Sequence, residues 1–412
     1  MTEVTVTPAR VGGSLLLLVG TVAVALNLRT AITSVGAVLP EVQSGLGLSS
    51  TTAGLLTSLP PVAFAVVGVA TPAVIRRFDL RRVLLVAMLT LTVGLLLRAV
   101  STNGWQFLAT SAVALGGLAV GNVALPTLVK VYFAHRAGAV TALYSTALAV
   151  GTATAAAVTV PLASALGGWR AGIGLWTVTA GLATLPWLAT LRRPAPRITA
   201  VEPGTTTVAA LLHSRIGWAM LVLFGMQALN AYTLLGWLAP LLQDAGWSQE
   251  ASGLLLALYS VIAIPGSLLL PVLTVRRPDQ RLIIVVLCAF YLAGFVGLAL
   301  SPGHGAVLWV TLAGLGGWLF PLVLVLIPLR TNTVSGAAAL SGFSQSGGYV
   351  LAALGPVAFG AGHDLTGSWT VPVLALAVTM LPALVAGWVC GPPGTVEDEL
   401  ARRALHEVST AG

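Results

Sequence analysis

The sequence predicts an all-α integral membrane protein: twelve transmembrane helices in two six-helix halves related by a pseudo-twofold axis. Three observations predict it. Of 412 residues, 57% are hydrophobic and only 8% charged, against about 25% charged in an ordinary soluble domain. The charges punctuate apolar runs of about the 20 residues that a bilayer-crossing helix needs. A basic loop also occurs twice, as "RRFDLRR" at 76–82 and "RRPDQRL" at 276–282.

Taken in order, the first run spans 12–40, too long for the core of a cleaved signal peptide, so it is expected to stay as a spanning helix. The next two, 50–75 and 83–100, flank the first basic loop. Runs at 104–130, 137–165 and 170–191 complete an N-terminal half, residues 1–191. The polar stretch "RRPAPRITAVEPGTTT" then opens a linker over 192–214. Runs at 215–242 and 249–275 lead into the second basic loop, and 282–300, 305–329, 336–361 and 368–390 complete a C-terminal half, 215–391, before a tail at 392–412.

With a cytoplasmic N-terminus, all but three of the 20 Lys and Arg residues fall in the inner segments. Such a bias places both termini in the cytoplasm of a multi-pass inner (plasma) membrane protein. The three are Arg29, Arg98 and Arg170. Arg98, near the end of the third run, is expected to snorkel to the interface, and Arg170 to sit in a short outer turn. Arg29 lies near the middle of the first run, where a guanidinium costs about 2.5–3.5 kcal/mol to insert.

The net charge of +8 does not indicate nucleic acid, because the basic residues come in twos and threes between apolar runs. Two cysteines at unrelated positions make no disulfide framework. No metal site, cofactor or nucleophile–base constellation is expected, and an enzyme is not predicted.

A repeat at a spacing of 200 pairs Arg76, Arg77, Asp79 and Arg81 with Arg276, Arg277, Asp279 and Arg281. It also pairs Pro40 with Pro240, Gln43 with Gln243, Gly116-Gly117 with Gly316-Gly317 and Lys130 with Arg330. Over its whole length the sequence resembles the major facilitator superfamily. That resemblance implies alternating access around a substrate site near the midplane between the halves. The loop at 76–82 resembles the family's G-x-x-x-D-R-x-G-R-R loop, with Arg76 in place of its Asp and Asp79 in place of its second Gly. Two readings of these loops stand side by side: topology alone, or gating through Arg76, Asp79, Arg276 and Asp279. "NLRTAITSVGAVLPEV" followed by "GLLTSLPPVAFAVVG" is similar to the cyanate and 2-nitroimidazole transporter branch, with Thr30 where that branch commonly has Pro.

Polar residues at mid-membrane depth are the candidate substrate contacts. They are Asn27, Arg29 and Thr30 in the first span, Asn122 in the fourth, Tyr144 in the fifth, Gln227 and Asn230 in the seventh, Tyr259 in the eighth, and Gln345 and Tyr349 in the eleventh. All twelve acidic residues lie at termini, in loops or at helix ends, so none neutralises Arg29 from the midplane. A small, cyanate-like anion is the expected substrate of a monomeric carrier in the lipid bilayer. A neutral nitroimidazole-like or drug-like solute is the alternative. The missing carboxylates argue against organic cations and against a proton relay.

Overall fold

The computed structural model describes residues 11–133, 136–191 and 208–411. It is helical throughout, and among the described residues eleven helical stretches are long and apolar enough to cross a bilayer. The eleventh span in chain order falls outside that set because Ser341, Ser344, Gln345 and Ser346 make it more polar, yet it is a helix of 33 residues.

The first span is not one helix. It runs as α1 (Val11–Asn27), α2 (Thr30–Ala37) and α3 (Leu39–Leu46), with breaks at Leu28-Arg29 and Val38. The second to fifth spans are α4 (Ser50–Arg77), α5 (Leu80–Ala99), α6 (Gly104–Tyr132) and α7 (Ala137–Ala165). The sixth is α8 (Trp169–Gly174), α9 (Trp176–Leu182) and α10 (Leu185–Thr190). Most of the expected linker, 192–207, lies outside the described residues, and its last part is a short helix, α11 (Val208–Leu211).

In the second half, the seventh span is the unbroken α12 (Arg215–Asp244). The eighth is α13 (Gln249–Val261) with α14 (Ala263–Val275), and the ninth is α15 (Arg281–Leu300). The tenth pairs α16 (Ala306–Gly316) with α17 (Leu319–Leu329). The eleventh is α18 (Val334–Thr366), the twelfth α19 (Thr370–Val378) with α20 (Met380–Cys390), and α21 (Val396–Ala411) follows.

Helix starts follow from side-chain oxygens that accept otherwise orphaned backbone N–H groups. Ser49, Asn103, Ser214, Ser248 and Thr333 each cap a span in this way. The tail helix adds carboxylates: Glu399 accepts from Arg215 N (2.7 Å) at the start of α12, and Glu397 from Asn332 N (3.0 Å) before α18. Each carboxylate sits where the helix dipole favours negative charge.

The two halves meet closely at the end of the bundle away from the termini, here called the far end. Gly36 of α2 lies against the Leu235 carbonyl of α12, and Gly360 of α18 against the Ser50 carbonyl of α4. A Cβ on Gly54 would come within 2.7 Å of Pro356 O, so glycine is what lets α4 and α18 approach. Thr51 N and Oγ1 both donate to Asp364 Oδ2 (2.7 and 2.6 Å), binding one half to the other at the rim.

Candidate functional site

The break in the first span sets the geometry of its polar residues. The Thr30 hydroxyl donates to Asn27 O (3.0 Å), closing the end of α1. Arg29 occupies the non-helical corner with φ −120° and ψ −15°, and this turns its side chain toward the other half. There the guanidinium carbon lies 5.2 Å from the ring centre of Tyr232 on α12, a cation–π arrangement that leaves the N–H fork free at its edges. Arg29 is half-buried, and none of the carboxylates among the described residues forms an ion pair with it.

Around this contact the second half supplies rings and hydroxyls. Tyr349 stacks on Phe64 of the first half at 4.9 Å and meets Phe224 edge-on at 5.1 Å. Tyr232 is 6.1 Å from Phe64 and 6.3 Å from Tyr349. The Tyr259 hydroxyl lies 3.4 Å from the Tyr291 hydroxyl, and Asn122 is half-buried on α6. Of the expected set, Arg29 and Tyr349 are thus brought together through Tyr232 and Phe64. Gln345, half-buried, donates to the Ser341 hydroxyl one turn back (2.7 Å), and Tyr144 is half-buried on α7.

The asparagines are placed differently. Asn27 is 3% exposed; its Nδ2 donates to Ala23 O (2.8 Å) and its Oδ1 accepts from the Thr179 hydroxyl (2.8 Å). Asn230 is fully buried, with Nδ2 donating to Met226 O (2.8 Å) and to the Thr379 hydroxyl (2.8 Å). The two contacts sit at corresponding places, joining the first span to the sixth and the seventh to the twelfth, but run in opposite directions, Asn27 accepting and Asn230 donating. Each asparagine braces its own half, and the Asn230 Oδ1 is left without a hydrogen-bond partner. Gln227 is buried on α12, and its Oε1 has no hydrogen-bond partner.

The expectation for Arg98 is overturned. It does not snorkel; it is 1% exposed and turns inward, donating from Nη1 to Ala31 O (2.8 Å) in the first turn of α2. A long side chain at a helix end can turn to the interface or to a neighbouring carbonyl, and here the broken first span offers the carbonyl. Arg170 is exposed as expected but lies just past the turn, in the first turn of α8, with its guanidinium carbon 4.3 Å from the Trp169 ring centre.

The basic loops pair within their own halves. Asp79 accepts from Arg81 N (3.0 Å), capping α5, and forms a 2.7 Å ion pair with Arg81, whose Nη1 donates to Thr190 O (2.9 Å). Likewise Asp279 accepts from Arg281 N (2.9 Å), and Arg281 Nε donates to Trp388 O (3.2 Å). Arg276 is exposed at the end of α14, and the Arg76 side chain lies outside the described residues.

Tyr232 is the contact that reasoning from the sequence missed. A signal existed: "LNLRT" at 26–30 and "LNAYT" at 229–233 align at a spacing of 203, making Tyr232 the counterpart of Arg29. The spacing of 200 used for the loops hides this, because the first span carries three more residues than the seventh between Thr30 and Gly36.

Comparison with known proteins agrees with this architecture. The chain is 32% identical over 384 residues to the 2-nitroimidazole transporter of Escherichia coli (strain K12), covering 92% of this chain and 95% of that one. It is 30% identical over 351 residues to the cyanate transport protein CynX of the same organism, covering 84% and 90%. The fold matches the crystal structure of a bacterial homologue of the human lysosomal transporter Spinster, in an inward-facing and occupied conformation, with a TM-score of 0.74 at 16% identity, over 92% of this chain and 96% of that one. The profile of the Major Facilitator Superfamily matches residues 17–353, and the chain belongs to that superfamily of transporters.

Proposed function

We propose that the chain carries a small monovalent anion of cyanate's kind across the plasma membrane by alternating access, and that Arg29 is its principal contact. The observation that carries this reading is a half-buried guanidinium stacked on Tyr232 with no carboxylate partner among the described residues. Such a group wants a counter-ion, and a linear or planar anion matches its fork. Asn122, Tyr259 and Tyr349 surround the bound ion, with Tyr144, Gln227, Thr30 and Gln345 at the edge of the site. Asn27 and Asn230 support it from behind. The excess of basic residues at the end bearing the termini favours a cytoplasmic location for that end, so the closed far end faces outward and the conformation is inward-facing. Asp79 and Asp279 act as latches inside each half during the transition.

A second reading has its own observation. The Phe64–Tyr349 stack, with Phe224 at its edge, offers flat apolar faces suited to a neutral nitroheterocycle. Uptake of labelled cyanate and of 2-nitroimidazole into proteoliposomes separates the two. With an anionic substrate, Arg29→Ala abolishes saturable uptake at unchanged melting temperature, and Arg29→Lys weakens binding about tenfold or more, because the planar fork is lost. Unchanged affinity in a folded Arg29→Ala protein, with uptake lost in Phe64→Ala instead, would move the function to the second reading.

A further inference from the structure

Arg98 is more deeply buried than Arg29 and only partly satisfied. One guanidinium nitrogen reaches Ala31 O, and the group lies 5.8 Å from the Phe107 ring centre, but Nε and Nη2 have no hydrogen-bond partner in the protein. No carboxylate among the described residues forms an ion pair with it. Arg98 lines a cavity of about 20 Å³, measured as the space open to the centre of a water-sized sphere, together with Ser111, Thr57, Pro60, Tyr232 and Gly236. Ser111 is fully buried and its hydroxyl has no partner, and Tyr232 is 2% exposed. Thr57 offers nothing further, since its hydroxyl already donates to Ala53 O and Gly54 O (both 3.1 Å).

Three buried hydrogen-bond donors thus border one small space, and one of them is a full positive charge. Water occupies about 10–15 Å³ by the same measure, so the space admits one or two waters or a single monatomic ion and excludes a carboxylate or sulfate. Water satisfies hydrogen bonds but leaves the charge uncompensated, whereas a monovalent anion does both. We propose that this cavity binds a small monovalent inorganic anion of halide size, held by Arg98, Ser111 and Tyr232. Arg98 and Ser111 belong to the first half and Tyr232 to the second, so the bound ion ties the halves together on the closed side. The site does not depend on Arg29 binding substrate, although both sites share Tyr232.

Thermal unfolding of the purified full chain in detergent, titrated with sodium chloride against sodium gluconate at matched ionic strength, tests it. The expected result is a saturable rise in melting temperature with chloride only, kept in Arg29→Ala and lost in Arg98→Gln. Ser111→Val fills the space with methyl groups and removes the hydroxyl without disturbing a charge, so it decides the matter if Arg98→Gln fails to fold: the chloride response should vanish. A parallel titration with cyanate in the Arg29→Ala background identifies the source. A response to chloride alone assigns a halide from the medium, whereas a response to cyanate that Ser111→Val removes means that the cavity admits a triatomic ion and overturns the halide-sized site. No response to either anion, an equal response to gluconate, or one that survives Ser111→Val overturns the proposal. Because the chloride response is read in Arg29→Ala as well as in the unaltered chain, a failure here is distinct from a failure of the transport reading.

Discussion

Asn27 and Asn230 show how a polar residue in a membrane helix serves its own half. Their amides bond threonine hydroxyls on the sixth and twelfth spans, so Asn27→Ala and Asn230→Ala should each lower stability by about 1–3 kcal/mol, the cost of leaving a buried partner unpaired. Differential scanning fluorimetry with and without substrate checks it: an earlier melt with unchanged affinity is expected, and an unchanged melt with lost affinity would return both residues to direct contact. Arg29 was legible in the sequence because a single charge inside an apolar run has few purposes. Tyr232 was not, because a tyrosine in an apolar helix usually packs, and its equivalence to Arg29 shows only when the register is shifted by three. The direction taken by Arg98 was beyond sequence reasoning, since it depends on a carbonyl that a different helix exposes at its break.

Among the elements, the starts of the spans could be read from serine, threonine and asparagine caps, while the breaks could not. Neither glycine nor proline marks Leu28-Arg29; the Thr30 hydroxyl closes α1 instead. The basic loops were legible as repeats, but their bonding within each half needed the positions of Thr190 and Trp388. Asp79 makes one consequence measurable. Burial raises its carboxyl pKa, but the hydrogen bonds and charge of Arg81 outweigh burial and hold it below the ordinary carboxylate range. A carboxyl with a depressed pKa in the folded protein adds stability above its unfolded value, and that stability is lost as pH falls through the folded value. The melting temperature should therefore drop on acidification below the ordinary carboxylate range. Asp79→Asn, which keeps a capping oxygen but not the charge, should melt lower at neutral pH, and its acid-induced drop should shrink. An identical acid limb in Asp79→Asn would mean that other carboxylates dominate.

At the scale of the molecule, each half is braced by bonds to its own helices, and the halves touch through glycine-lined crossings, the Thr51–Asp364 rim bond and the Arg29–Tyr232 contact. This division suits rocking of two rigid bodies. The twofold plan was legible from the repeated loop, whereas which end is closed was not, because close approach depends on backbone positions that no composition encodes. Orientation is testable by labelling, with low background because Cys288 and Cys390 are both buried. Single cysteines near Thr206 and Ala401 should react only with permeant reagents in intact cells, and one near Gly303 with impermeant ones; the reverse pattern would invert the topology. Proteoliposome flux should also persist without an imposed pH gradient, since no carboxylate sits at the midplane. Strict dependence on that gradient would reveal a proton carrier elsewhere in the chain.

The register slip between "LNLRT" and "LNAYT" has one more consequence. In a dimer of identical six-helix chains, any residue on the dyad faces its own copy, so an arginine there would confront an arginine and a tyrosine a tyrosine. Joining the two halves in one polypeptide lifts that restriction, and here the liberty is used at one point, where a cation in the first half meets an aromatic face in the second. The first half expressed alone therefore has a built-in bar to pairing with itself: charge repulsion at the axis. The pairing of unlike halves thus has one of its marks in this pair of side chains, beside the Thr51–Asp364 bond at the rim.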